Sequence, residues 1–267
     1  MLVLVFGLVP AARAQTPSPM PYWQYSVGQV LLPLGGPIND WTMTYGGGGQ
    51  VIPDYPGARG HLFQPAVIVD IRYRDTFFIS DGEGVGVNLL RGPNYRAGIA
   101  VGYDLGRYAS ESQSGRIRTL ADVSAAPEPK IFLDYSVLPF VFNAVVRHAI
   151  GGYNGLIADF GSYVPLPISD TITGFLGPTL TLANARYMRA YFGVTPDQAV
   201  GSPLRPYAPG GGFSSTGLGL MVVDFLSKRW FIESDAAFQR FLGQAADSPV
   251  VASRSQVSLG VHFGYRF

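Results

Sequence analysis

The sequence predicts an all-β fold, a transmembrane antiparallel β-barrel of about twelve strands, and three observations carry the prediction. The first is strict period-2 alternation. In the last eleven residues Val257, Leu259, Val261, Phe263, Tyr265 and Phe267 share one face, while Ser258, Gly260, His262, Gly264 and Arg266 share the other. The aromatics gather at the end of that strand, where a barrel carries its interfacial girdle. The second is the charge content, 14% of residues, against about 25% in a soluble domain. The third is the regular exchange of short and long connections along the chain, as expected when turns lie on one side of a membrane and loops on the other.

Composition narrows the function classes. The chain has 267 residues with no Cys, so disulfides and thiolate chemistry are excluded. Nineteen Lys and Arg against eighteen Asp and Glu leave no basic field for nucleic acid. Most of the positive charge is Arg, which suits fixed pairing with carboxylates in a confined polar space.

In chain order, Leu2–Val9 is an apolar run followed by Ala12-Arg13-Ala14, the form of a signal-peptidase site, although no Lys or Arg precedes the run. A signal peptide is expected over 1–14. An extended N-terminal segment follows over 15–40, rich in Pro and Gly, and the barrel over 41–267. No amphipathic helix is expected, because Gly and Pro interrupt most windows of helical period.

Further strands alternate as cleanly. Val67, Val69, Ile71 and Tyr73 oppose Ile68, Asp70, Arg72 and Arg74; Tyr95, Ala97, Ile99, Val101 and Tyr103 oppose Arg96, Gly98, Ala100, Gly102 and Asp104. Phe140, Phe142, Ala144 and Val146 oppose Val141, Asn143, Val145 and Arg147; Trp230, Ile232, Ala236 and Phe238 oppose Phe231, Glu233, Asp235 and Gln239. Apolar faces turned to lipid and charged faces turned to a wet lumen explain both sets.

Tight links are expected at Arg74-Asp75, Arg91 to Asn94, Leu138-Pro139, Pro167 to Asp170 and Ser227 to Arg229. Long ones are expected at Ile52 to Gly60, Gly106 to Pro129, Gly151 to Asn154, Asn184 to Gly210 and Leu242 to Ser253. The alternation closes only if Thr76 to Leu90 is a hairpin turned at Ser80 to Gly84. That gives twelve strands with both ends on the periplasmic side.

Candidate chemistry is sparse, and no catalytic residue, cofactor or metal site is expected. Gly46 to Gly49 lacks the ending of a phosphate loop. His61, His148 and His262 form no metal-binding motif. Ser248 beside Asp247 lacks a nucleophile elbow. The inward charges, Asp70, Arg72, Arg96, Asp104, Arg147, Glu233, Asp235 and His262, are expected to form a lumen network.

The chain resembles the MipA/OmpV outer-membrane proteins of Gram-negative bacteria. The carriers are Pro53-Asp54-Tyr55-Pro56-Gly57, Tyr73-Arg74-Asp75, Phe77-Phe78, Gly84-Val85-Gly86-Val87 and Gly102 to Arg107. With them go Tyr187-Met188, Ala190, the loop motif Tyr191-Phe192-Gly193-Val194-Thr195, Tyr207, Leu242-Gly243, Ala246 to Val251 and Tyr265-Arg266-Phe267. The resemblance spans Trp41 to Phe267. It implies a non-enzymatic envelope scaffold touching a murein transglycosylase and a penicillin-binding protein. Its expected surroundings are outer-membrane lipid and the barrel-assembly machinery, with Phe263, Tyr265 and Phe267 as the assembly signal. A small pore or a surface adhesin is the alternative, the first from the charged inward face and the second from the long loops.

Overall fold

The computed structural model describes residues 20–267 apart from 26 and 33, so the expected signal peptide lies outside the described residues. Twelve antiparallel strands close into one barrel: β1 Trp41–Pro53, β2 His61–Tyr73, β3 Phe77–Ser80, β4 Gly84–Arg91, β5 Tyr95–Asp104, β6 Ala126–Val137, β7 Phe140–His148, β8 Leu156–Pro167, β9 Ile172–Ala183, β10 Gly212–Phe225, β11 Trp230–Phe241 and β12 Ser255–Arg266. Each pairs with its sequence neighbours, and β12 closes on β1. Closure leaves no terminal edge strand in lipid.

Alternation sorts the side chains. Val257, Leu259, Val261 and Phe263 face outward and are exposed, whereas Ser258, Gly260 and His262 are buried in the lumen. At the strand ends near the short turns, Trp230 stacks on Phe263 at 4.9 Å, and Tyr265 meets Trp230 and Phe267 at 4.6 Å each. The Phe267 N–H donates to Met43 O at 2.9 Å, so the last residue joins the closing seam. Phe267→Ser is expected to slow assembly, read as a larger unfolded band on unheated gels of envelope fractions.

Turn chemistry follows the sequence. Arg74 and Asp75 both have positive φ, 50° and 46°, as the two central positions of a mirror-image turn require, and the Thr76 N–H closes that turn on Tyr73 O at 2.9 Å. The loop expected over Gly106 to Pro129 is shorter, because β6 starts at Ala126 and its ladder to β5 holds Pro127 and Pro129 opposite Tyr103 and Val101.

The β3–β4 hairpin makes the wall uneven. Four residues of β3 rise only about 13 Å, short of an apolar band about 25 Å tall. Ser80 pairs with Asp70, so β2 above Val69 has no β3 partner. Val69 O accepts from the Asp81 N–H, which puts Pro65, on the same parity, at the open edge. Proline fits there because it has no N–H to leave unpaired.

Two expectations change. The segment 15–40 is not extended throughout: among its described residues Tyr22–Tyr25 is a 3-10 turn and α1 covers Val27–Val30. These turns bond their own backbone, Gln24 N–H to Pro21 O and Leu31 N–H to Val27 O. Helices also occur in the long loops, with α2 Ala185–Phe192, α3 Pro196–Ala199 and α4 Gly243–Ala246. Asn184 starts α2 by accepting from the Tyr187 N–H at 3.1 Å, and Tyr187, Met188, Tyr191 and Phe192 form its buried stripe.

Candidate functional site

The site is the lumen, closed at both ends. At the end of the short turns, Trp23, Val27 and Val30 pack with Tyr163, Phe175, Met221 and Phe231. Gln24 Nε2 donates to Leu220 O at 2.8 Å and to Ala236 O at 3.2 Å, fixing the segment to the wall. Gly28 lies so close to Asp70 that an added Cβ would stand 2.4 Å from its carboxyl carbon.

At the other end α2 fills the mouth, where Tyr187, Met188, Tyr191 and Phe192 pack with Tyr153, Ile157 and Phe241. Tyr55, Ile117, Leu120, Leu204 and Val250, one or more from each of four long loops, form a second cluster above it. Arg107, 2% exposed, links them through three carbonyls, Tyr191 O at 2.7 Å and Ala121 O and Ala190 O at 3.3 Å each. Burial among these acceptors, with no carboxylate bridge among the described residues, pulls its guanidinium pKa down. Arg107→Met strips three carbonyls of their donor and is expected to loosen this cap by about 2 kcal/mol or more, measured as faster amide exchange over residues 185–192.

Between the closures the polar face forms three groups. In the first, Arg72 holds Asp70 at 2.7 Å and 2.8 Å, Glu83 bridges Arg72 and Arg96, and Arg96 holds Asp134 at 2.6 Å. Both guanidiniums lie over rings, Arg72 over Phe78 at 5.1 Å and Arg96 over Phe132 at 5.0 Å. In the second, Arg147 bonds Glu128 and Asp159 at 2.9 Å each. The Tyr153 hydroxyl lies 2.8 Å from both Asp104 and Glu128, and the Tyr191 hydroxyl lies 3.0 Å from Asp104. In the third, Glu233, Asp235 and His262 meet on β11 and β12.

The eight inward residues named from the sequence are thus divided among three groups rather than one network. Glu83, Glu128, Asp134 and Asp159 are additional members. Period-2 reading of β6 and β8 could have found three of them, since Glu128, Lys130 and Asp134 alternate with Ile131 and Tyr135, and Asp159 lies between Ala158 and Phe160. Glu83 had no such signal, because it sits in the β3–β4 turn. The loop motif divides as well: Tyr191, Phe192 and Val194 are buried in the cap, the Gly193 N–H donates to Arg189 O at 2.9 Å to end α2, and Thr195 caps α3. Ser248 Oγ donates to Phe192 O at 2.6 Å and accepts from the Val250 N–H, a structural pairing.

A cavity of about 570 Å³ remains between the closures. Inward Glu128, Lys130, Arg147 and Asp159 line it, and so do outward Val85, Val101 and Tyr103, so it opens sideways above the β3–β4 hairpin.

A family profile described as "MltA-interacting protein MipA" matches residues 45–267. The chain belongs to the MipA family. Outer membrane protein OmpV of Vibrio cholerae serotype O1 is 27% identical over 211 residues, spanning 79% of this chain and 76% of that protein. Among solved structures, the NanC porin shares 11% identity with a TM-score of 0.46 over 84% of this chain and 98% of that one. Outer-membrane expressed OmpT of Vibrio cholerae shares 10% with a TM-score of 0.37, over 87% and 99%. This MipA-family chain is an outer-membrane protein of a Gram-negative bacterium, its barrel formed by strands throughout.

Proposed function

We propose that this MipA-family protein is a closed, non-enzymatic barrel that serves the envelope as a scaffold for murein-remodelling enzymes. The observation that carries the reading is the double closure of the lumen, by the Trp23–Val30 plug at one end and the α2 cap at the other. A barrel closed at both ends offers surfaces rather than an axial path. The family description names an interaction with MltA, which for this chain points to a lytic transglycosylase, with a penicillin-binding protein as the second expected partner. The short turns and the end of the N-terminal segment, exposed from Pro37 to Asp40, supply the periplasmic contact surface.

The test is crosslinked co-purification of the full chain from its own envelope. Enrichment of a transglycosylase and a penicillin-binding protein supports the scaffold; recovery of assembly factors and lipid alone overturns it.

The sideways opening supports a second reading, uptake of a small amphiphile from the outer leaflet into the cavity. Asp81, exposed at the hairpin tip, marks a wet lip in a wall otherwise faced with apolar side chains. A fluorescent amphiphile entering vesicles faster with this protein, and slowed by Gly82→Trp, would favour it; equal rates with empty vesicles would remove it.

A further inference from the structure

We infer that Glu233, Asp235 and His262 form a binding site for a single divalent transition-metal cation, for which zinc is the natural probe. The inference stands apart from the scaffold reading.

Charge sets this cluster apart from the rest of the lumen. Asp70, Glu83, Asp134, Glu128 and Asp159 each lie within ion-pair distance of an arginine, and Asp104 accepts from phenols and the Gly106 N–H. Glu233 and Asp235 differ. Among the described residues their ion-pair contact is His262 alone, at 3.5 Å and 3.6 Å from its Nδ1. Even with the imidazole protonated, two carboxylates against one cation leave a net negative charge in a buried place, which is costly unless a further cation is bound.

The second observation is an unmet demand for donors. Asp235 is 5% exposed, and neither of its carboxylate oxygens has a hydrogen-bond partner among the described residues. His262 Nδ1 is also without one. Buried polar atoms in such a state point to a missing partner.

The third is spacing. One donor atom from each of the three residues lies within 4.8 Å of the others. Ligands at about 2.0–2.1 Å from tetrahedral zinc stand about 3.4 Å apart, close to the two distances measured from Nδ1. One imidazole with two carboxylates suits zinc and its first-row neighbours. Calcium and magnesium take oxygen donors, and the imidazole disfavours them.

The backbone provides the room. Glu233 pairs directly with His262 and Asp235 with Gly260 across the β11–β12 ladder. A Cβ on Gly260 would stand 2.2 Å from Asp235 Oδ2, and one on Gly48 would stand 2.9 Å from the His262 ring. Small residues at both places let three large polar side chains converge. A bound cation would tie the C-terminal hairpin together beside the β12–β1 closure, with water free to complete its coordination.

The experiment uses the full chain, folded in detergent, checked by heat-modifiable migration and stripped with a chelator. Zinc is titrated in competition with a chromophoric chelator. One equivalent per chain is expected, with Asp235→Asn and His262→Gln each weakening binding by more than about 100-fold, beyond the loss typical of an outer-shell partner. The double variant His61→Gln, His148→Gln is expected to bind as the parent does. Cobalt added to the parent protein gives a readout that needs no variant: visible ligand-field bands at one equivalent are expected. A folded parent that shows neither zinc uptake nor cobalt bands overturns the site, as does binding unchanged by Asp235→Asn or abolished by the His61, His148 pair.

Discussion

Arg147→Met is expected to destabilise the barrel by about 3–5 kcal/mol, because it leaves Glu128 and Asp159 buried without their shared guanidinium. Those carboxylates are 5% and 8% exposed, so water does little to screen them. Hydrogen bonds from Tyr153 and Thr181 remain, but a phenol and a hydroxyl neutralise no charge. Lys130 is near, yet its ammonium is engaged with the Tyr22 hydroxyl of the plug. The triple variant Arg147→Met, Glu128→Gln, Asp159→Asn should recover much of the loss, since a neutral set carries no uncompensated charge. Urea unfolding of the lipid-embedded barrel, followed by tryptophan fluorescence, measures both. Equal stability of the parent and the single variant would show that the group is open to water.

The full chain is expected to be silent in planar bilayers, and to stay silent when either closure alone is removed. Deleting residues 20–32 takes away Trp23, Gln24, Val27 and Val30 but leaves Tyr187, Tyr191 and Phe192 across the mouth. Replacing 185–210 with a short Gly-Ser linker takes α2 out of the mouth but leaves the plug. Two barriers in series pass no current until both are gone, so steady conductance is expected only from the combined deletion, with heat-modifiable migration confirming a folded barrel. Current through the intact chain would make transport the working function, and Arg72, Arg96 and Arg147 the residues to change.

The closures also explain which parts of the molecule were legible. Period 2 acts residue by residue, and lipid on one side of a wall with a polar lumen on the other enforces it at every rung. Val257 through Phe267, Tyr95 through Asp104 and Trp230 through Gln239 could therefore be assigned faces without any partner in view. The hairpin at Ser80 to Gly84 came from counting, since an odd number of strands would place the ends on opposite sides. Helix α2 was hidden because it is only eight residues long, carries its stripe on Tyr187, Met188, Tyr191 and Phe192, and lies inside a loop. Helices that short owe their stability to packing rather than propensity.

The barrel, the strand number, the inward position of Asp70, Arg72, Arg96, Arg147 and His262, and the family were all readable from residue order alone. How those side chains combine emerged with the folded barrel. Register brings Arg96 opposite Asp134 and Glu233 opposite His262, and barrel curvature brings Glu83 between Arg72 and Arg96. Closure of the lumen was likewise a matter of three dimensions, because a plug from 20–30 and a cap from 185–192 meet the wall through residues far apart in the chain. Alternation is a local property that one strand can display, whereas pairing across a lumen depends on strands whose relative shift no single strand records.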